Sequence, residues 1–217
     1  MRRGADRVEI AAVDPTGAPV LSVRELTLHR PRTVAAAARL PLFRMDWPAV
    51  EAPTPSSVRH AVLGDSVAEL PSDVEVVVVP VTGDLADVIA STHRVTGRVL
   101  DAAQAFLADT RLMNARMLFV TDGAIAADEG EPIRDVPAAA VWGLVRSAYA
   151  ENPDRFLIVD TADPAAFLPL LAGVTADGDQ QFAVRGGVVR VGRMARLASA
   201  DALLPPGGRR LAAGPPR

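Results

Sequence analysis

Apolar positions in this chain alternate, run together or recur at helical spacing in successive blocks, and each block predicts an element. Residues 8–13 (VEIAAV) and 20–28 (VLSVRELTL) read as two strands joined by the turn DPTGAP, whose proline and glycine suit a hairpin. In the second run Leu21, Val23 and Leu26 or Leu28 are interrupted by charged residues, which leaves one face to solvent. A hairpin alone is marginal in water. It must pair with the body of this chain or with a sheet that the chain does not contain.

From residue 41 the pattern changes. LFRMDW (42–47) predicts a strand, and VRHAVLGD (58–65) and VEVVVVP (74–80) predict two more, the last apolar on both faces. Residues 84–109 carry apolar side chains at 85, 88, 89, 95, 99, 100, 103, 106 and 107, the spacing of a helix, with Asp84 available as its N-cap. ARMLFVTDGA (115–124) predicts a strand that ends in a turn. A second helix starts near Val136, with Asp135 and Pro137 at its N-terminus. It stops before Pro153, which biases Asn152 away from helical backbone. RFLIVD (155–160) is a further strand, PAAFLPLLAG (164–173) a short helix, and residues 180–194 two strands around Gly186 and Gly187. Strands that alternate with helices predict an α/β fold, a mostly parallel sheet with helices on both faces. The segment from 199 is rich in proline and glycine and lacks the period of a packed element.

Composition narrows the chemistry. Nearly half of the 217 residues are hydrophobic, enough for a substantial core. No apolar run approaches the ~20 residues of a membrane span, and the N-terminus lacks a signal-peptide core, so a cytoplasmic protein is expected. There is no cysteine, and all 23 basic residues are arginine. Thiolate metal sites, cysteine nucleophiles, Schiff-base chemistry and the P-loop lysine are therefore excluded. A formal net charge of −3 and 4% aromatic residues give no nucleic-acid footprint. Arg185, Arg190, Arg193, Arg196, Arg209 and Arg210 are locally dense and read as a solvated strand face and tail.

A dinucleotide site needs glycines that let backbone amides approach a pyrophosphate at a helix start. After the strand near 60 there is only GDSVAEL, and after that at 116–120 only TDGAIAADEGEP, so Gly64 and Gly123 read as turn glycines. His29, His60 and His93 have no metal-ligand spacing. Asp128, Glu129 and Glu131 cluster in a loop and read as exposed. Tyr149 is the only tyrosine, and a reductase tyrosine needs a lysine four residues on; Pro153 stands there. Ser147 and Tyr149, two apart on a helix, point different ways. No catalytic, cofactor-binding or metal-binding residue is expected. On the second helix Val141, Leu144, Val145 and Ala148 form one apolar face, with Trp142 and Tyr149 on a neighbouring one. Two readings stay open for Trp142 and Tyr149: a central core helix, or a surface that docks a second domain.

At these residues the sequence resembles a known family. AAVWGLVRSAYAENPDRFLIVD looks like the signature of the structural subdomain of ketoreductases in modular polyketide synthases. LFRMDW, HAVLGD and LFVTDGAIA are similar to its strands, and QFAVRGGVVRVGRMARL to its closing ones. Upstream, DPTGAPVLSVRELTLHRP resembles the last strands of a dehydratase hotdog domain. The resemblance implies four parts: a dehydratase tail over 1–31, a linker over 32–40, the ketoreductase structural subdomain over 41–198, and a linker over 199–217. It implies a truncated Rossmann-like fold that binds no cofactor and is not an enzyme by itself. That half would brace a catalytic half, which uses NADPH to reduce a β-ketoacyl group on an acyl carrier protein. Expected partners are therefore that catalytic half, the dehydratase, an enoylreductase where one is inserted, and the carrier protein; no nucleic acid and no membrane are expected. The alternative from another class is a free-standing reductase or nucleotide-binding enzyme with degenerate motifs.

Overall fold

The computed structural model describes residues 7–27 and 42–196, which belong to two units, residues 1–41 and 42–217. The expected linkers at 32–40 and 199–217, with Leu28, His29, Arg209 and Arg210, lie outside the described residues. In the first unit Asp14 makes the turn. Its Oδ1 accepts from the Thr16 N–H (2.8 Å), the Thr16 hydroxyl (2.7 Å) and the Ala18 N–H (2.9 Å), and Gly17 supplies a φ of +88°. The hydroxyl of Thr16, then the Ala18 amide, hold the Asp14 carboxyl below its usual range. On either side β1 (Arg7–Val13) and β2 (Pro19–Thr27) pair antiparallel as the sequence predicts. Ile10, Val13, Val20 and Leu21 are exposed.

In the second unit β3 (Phe43–Asp46) pairs antiparallel with β10 (Arg193–Arg196), a short ribbon. The main sheet holds β4 (His60–Val62), β5 (Val76–Pro80), β6 (Arg116–Thr121), β7 (Phe156–Asp160), β8 (Gln181–Arg185) and β9 (Val188–Val191), side by side in chain order. The first four pairings are parallel and only β8–β9 is antiparallel. The fold is Rossmann-like α/β. Alternation along each strand divides the core. Val77, Val79, Met117, Phe119, Phe156 and Ile158 face one side; Val76, Val78, Leu118, Val120, Leu157 and Val159 face the other. Helices α1 (Val88–Ala108) and α2 (Val136–Glu151) cover the first side, through Val95, Val99 and Phe106 and through Val141, Trp142 and Val145. The opposite side is covered by Phe167, Leu168, Leu171 and Val174.

Three boundaries differ from those the sequence predicts. Helix α1 is capped by Asp87, whose carboxylate accepts from the Ala90 N–H at 2.9 Å, and not by Asp84. Asp84 instead closes a turn onto the Ala86 N–H (2.9 Å), while its own N–H donates to the Ser91 hydroxyl (2.7 Å). Either aspartate could have capped; the periodicity of Leu85 and Ile89 misled, since both are exposed, at 57% and 74%. The expected helix at 164–173 is divided into α3 (Pro164–Phe167), a 3₁₀ turn (Leu168–Leu170) and α4 (Leu171–Val174). Pro169 lies in that turn and has no N–H for a continuous α-ladder. Finally, residues 180–194 break at Gly192, where an added Cβ would lie 3.2 Å from the Trp47 ring. The chain then leaves the sheet to form β10.

Amides of the β1–β2 hairpin should exchange with solvent much faster than those of Val76–Val79, which are at most 5% exposed between β4 and β6. Hydrogen exchange read by mass spectrometry checks this, and equal protection of both segments would contradict it.

Candidate functional site

The carboxyl end of a parallel sheet is where α/β folds bind ligands, and here it is built around Asp160. This is the last residue of β7, at the end of the run FLIVD, and it is 0% exposed. Its Oδ1 accepts from the Gly123 N–H (3.0 Å) and Arg185 Nη2 (2.7 Å). Its Oδ2 accepts from the Ala124 N–H (2.7 Å) and the Thr121 hydroxyl (2.7 Å). Trp142 Nε1 in turn donates to Thr121 Oγ1 at 3.2 Å. A buried carboxylate is tolerable only when its lone pairs are met in this way.

Arg185 joins the strands to the loop between β6 and α2. Its Nε donates to Glu131 Oε1 at 2.6 Å, its Nη1 to the Asp160 carbonyl at 3.0 Å and its Nη2 to the Ile125 carbonyl at 3.2 Å. Glu131 Oε2 accepts from the Ala127 and Asp128 N–H groups at 2.8 and 3.1 Å. Burial pushes the Glu131 carboxyl up, but the Ala127 amide, the Arg185 guanidinium and the Asp128 amide outweigh it, and the net shift is downward. Burial likewise lowers the Arg185 guanidinium, and its two carboxylate partners outweigh that and raise it. At the loop's ends the Gly123 carbonyl accepts from the Arg134 and Asp135 N–H groups. Asp135 caps α2 through the Ala138 N–H and accepts from the Gly83 N–H, both at 2.8 Å.

Two expectations are corrected here. Arg185 is not a solvated strand residue: its side chain is 17% exposed, and Glu131 beside it, read as exposed, is 19% exposed. Arg190 is half-buried and pairs with Asp128 at 2.7 Å. Arg193 pairs with Asp179, and Arg196 is exposed. Glu129 is exposed. Gly123 does sit in a turn, at φ +75°, whereas Gly64 borders a cleft of about 330 Å³ between α1 and the 63–75 connection. That connection carries a single 3₁₀ turn in place of a crossover helix. A Cβ at Gly64 would meet nothing within 4 Å. His60 lies in β4 with Nδ1 3.2 Å from the Val58 carbonyl, and His93 is exposed on α1. Among the described residues no group of three histidine or acidic side chains could hold a metal ion.

Trp142 is 3% exposed and packs edge-on against Trp47, ring centroids 5.7 Å apart. It therefore offers no surface of its own. The apolar circumference of α2 is shared between the sheet, α1 and Trp47. Tyr149 is half-buried, and the Ser147 hydroxyl donates to the Gly143 carbonyl at 3.3 Å. Asp160 and Thr121 escaped the sequence reading, and Arg185 was read only as a solvated strand residue. The only local signal was an acid closing the apolar run FLIVD.

A family model described as "Polyketide synthase extender module SpnB, Rossmann fold domain" matches residues 45–194. The chain belongs to this polyketide synthase family. Spectinabilin polyketide synthase system protein NorB of Streptomyces orinoci is 34% identical across 94% of the chain, and polyketide synthase GfsB of Streptomyces halstedii 38% identical across 88%. The chain spans only 11% and 4% of the length of those two synthases. A C2-type ketoreductase from a modular polyketide synthase shares the fold, with a TM-score of 0.54 at 22% identity over 72% of this chain and 43% of that one.

Two outcomes are expected of this polyketide synthase domain. Trp142→Ala should lower its stability by about 3–5 kcal/mol, the usual cost of truncating a buried tryptophan, as read by chemical denaturation. Because the folded Glu131 pKa lies below its ordinary value of 4.5, its contribution is present above that pH and lost as pH falls through the lower folded value. The stability gap between wild type and Glu131→Gln should therefore be open at neutral pH and close on acidification through that window. A gap that does not change with pH would contradict the assignment.

Proposed function

We propose that the chain is the non-catalytic, scaffolding half of a polyketide synthase ketoreductase. Its β1–β2 hairpin would be the end of a dehydratase domain, and the segments at 32–40 and 199–217 would be linkers. The observation that carries this reading is the self-saturation of the sheet's carboxyl end. The Gly123 and Ala124 amides, which a cofactor phosphate would need, already serve Asp160. The strands of the main sheet follow one another in chain order, so among the described residues no reversal of strand order opens a crevice of the kind that admits dinucleotides. The residues present do not fit NADPH, and no reaction step is assigned to them. Reduction of a β-ketoacyl group on a carrier protein is the proposed activity of the parent synthase, with NADPH held by the catalytic half.

Within this reading the catalytic half docks on the outer side of the α1–α2 pair. Trp142 is withdrawn from that side, so the docking assignment passes to Tyr149 and its neighbours. Ala140, Gly143, Ser147 and Ala150 are exposed along α2, and Ile89 and Leu100 are exposed along α1. Small uncharged side chains at these positions leave room for close helix approach.

Calorimetry tests both parts. The chain should take up no NADPH at micromolar concentration, and it should bind and stabilise a separately expressed catalytic half of a homologous ketoreductase. Ser147→Arg and Leu100→Arg together should weaken that binding at least ~10-fold, since a desolvated charge costs more than 1.4 kcal/mol, with the chain's own stability little changed. Saturable NADPH binding would return the free-standing reductase reading.

A further inference from the structure

Three of the four donors around the Asp160 carboxylate are also held by other groups. Thr121 Oγ1 also accepts from Trp142 Nε1. Gly123 is fixed by its φ of +75° and by two N–H groups on its carbonyl. Arg185 is held through Nε by Glu131 and through Nη2 by the Ile125 carbonyl. Each carboxylate oxygen receives two of the four donors, all within 3.0 Å, and the side chain is fully enclosed. Such a pocket is pre-organised for a planar anion with two oxygens, and only a one-carbon tether connects that anion to the chain.

We propose that the head of the sheet is a carboxylate-binding pocket whose ligand is the chain's own Asp160 side chain. The ligand class is a small monocarboxylate. The pocket is blocked in the native chain and opens when the tethered carboxylate is removed. The proposal holds whether or not the chain braces a catalytic half, because it concerns the occupant of the pocket alone.

The test uses the full 217-residue chain with Asp160→Ala and, as a second variant, Asp160→Gly. Thermal unfolding is followed as sodium formate is raised, with sodium chloride at equal ionic strength as reference. In the variants formate should raise the melting temperature saturably by about 5–10 °C beyond chloride, the shift expected when a ligand reaches about a hundred times its Kd. Pivalate, too bulky for the pocket, should do no more than chloride. Wild type and Asp163→Ala, which loses only the cap of α3, should show no formate-specific shift. If the variants do not fold alone, refolding from denaturant in formate, but not in chloride, is the supporting result. Equal effects of formate and chloride on stability or refolding of both variants would overturn the proposal, since water would then fill the pocket as well as a carboxylate does.

Discussion

Placing a carboxylate inside an apolar sheet costs several kcal/mol unless its oxygens are fully met, and Asp160 meets that condition with donors from three separate parts of the chain. Thr121 comes from the neighbouring strand, Gly123 and Ala124 from the loop that follows it, and Arg185 from β8. Much at this end of the molecule rests on that arrangement. Through Arg185 it fixes Glu131 and Ile125, and so the loop. Through Thr121 it reaches the indole of Trp142 and hence α2. Removing Arg185 would leave the buried Asp160 carboxylate without a charged partner, whereas Arg185 would still hold Glu131 if Asp160 were removed.

The parts of the fold written in local pattern were legible in the sequence. The run Val76–Val79 could only be a buried central strand, and α2 was bracketed by Asp135, Pro137 and Pro153. Partnerships across long separations were not legible. Arg185 and Asp160 stand 25 residues apart, and Arg185 and Glu131 54 apart, so no periodicity joins them. An arginine on a strand therefore reads as a solvated one. Trp142 illustrates the same limit, since an apolar helix circumference does not reveal whether a second helix, Trp47 or another domain covers it. The choice between Asp84 and Asp87 was a local one, but it turned on which carboxylate reaches an N–H three residues on, and the apolar pattern does not report that.

Membership of the polyketide synthase family gives these details a setting. The chain covers only a small fraction of the length of the synthases it matches, and its sheet head is filled by its own Asp160 carboxylate. The chain's basic residues are all arginine, and a planar guanidinium can hold two carboxylates and three carbonyls at once, as Arg185 does.

The chain-order arrangement of the main sheet also bears on how the domain is made. Each strand from β5 to β9 pairs with the one synthesised just before it, so the sheet can grow one strand at a time as the chain emerges, each parallel pairing closing one crossover segment. The β3–β10 ribbon is the exception. Arg193 lies opposite Asp46, so β3, the first strand of the unit to be made, must wait for the last. Phe43 and Met45 therefore remain without their β10 partners until Arg193–Arg196 has been made, and until then β3 is a strand whose edge is open to wrong pairing.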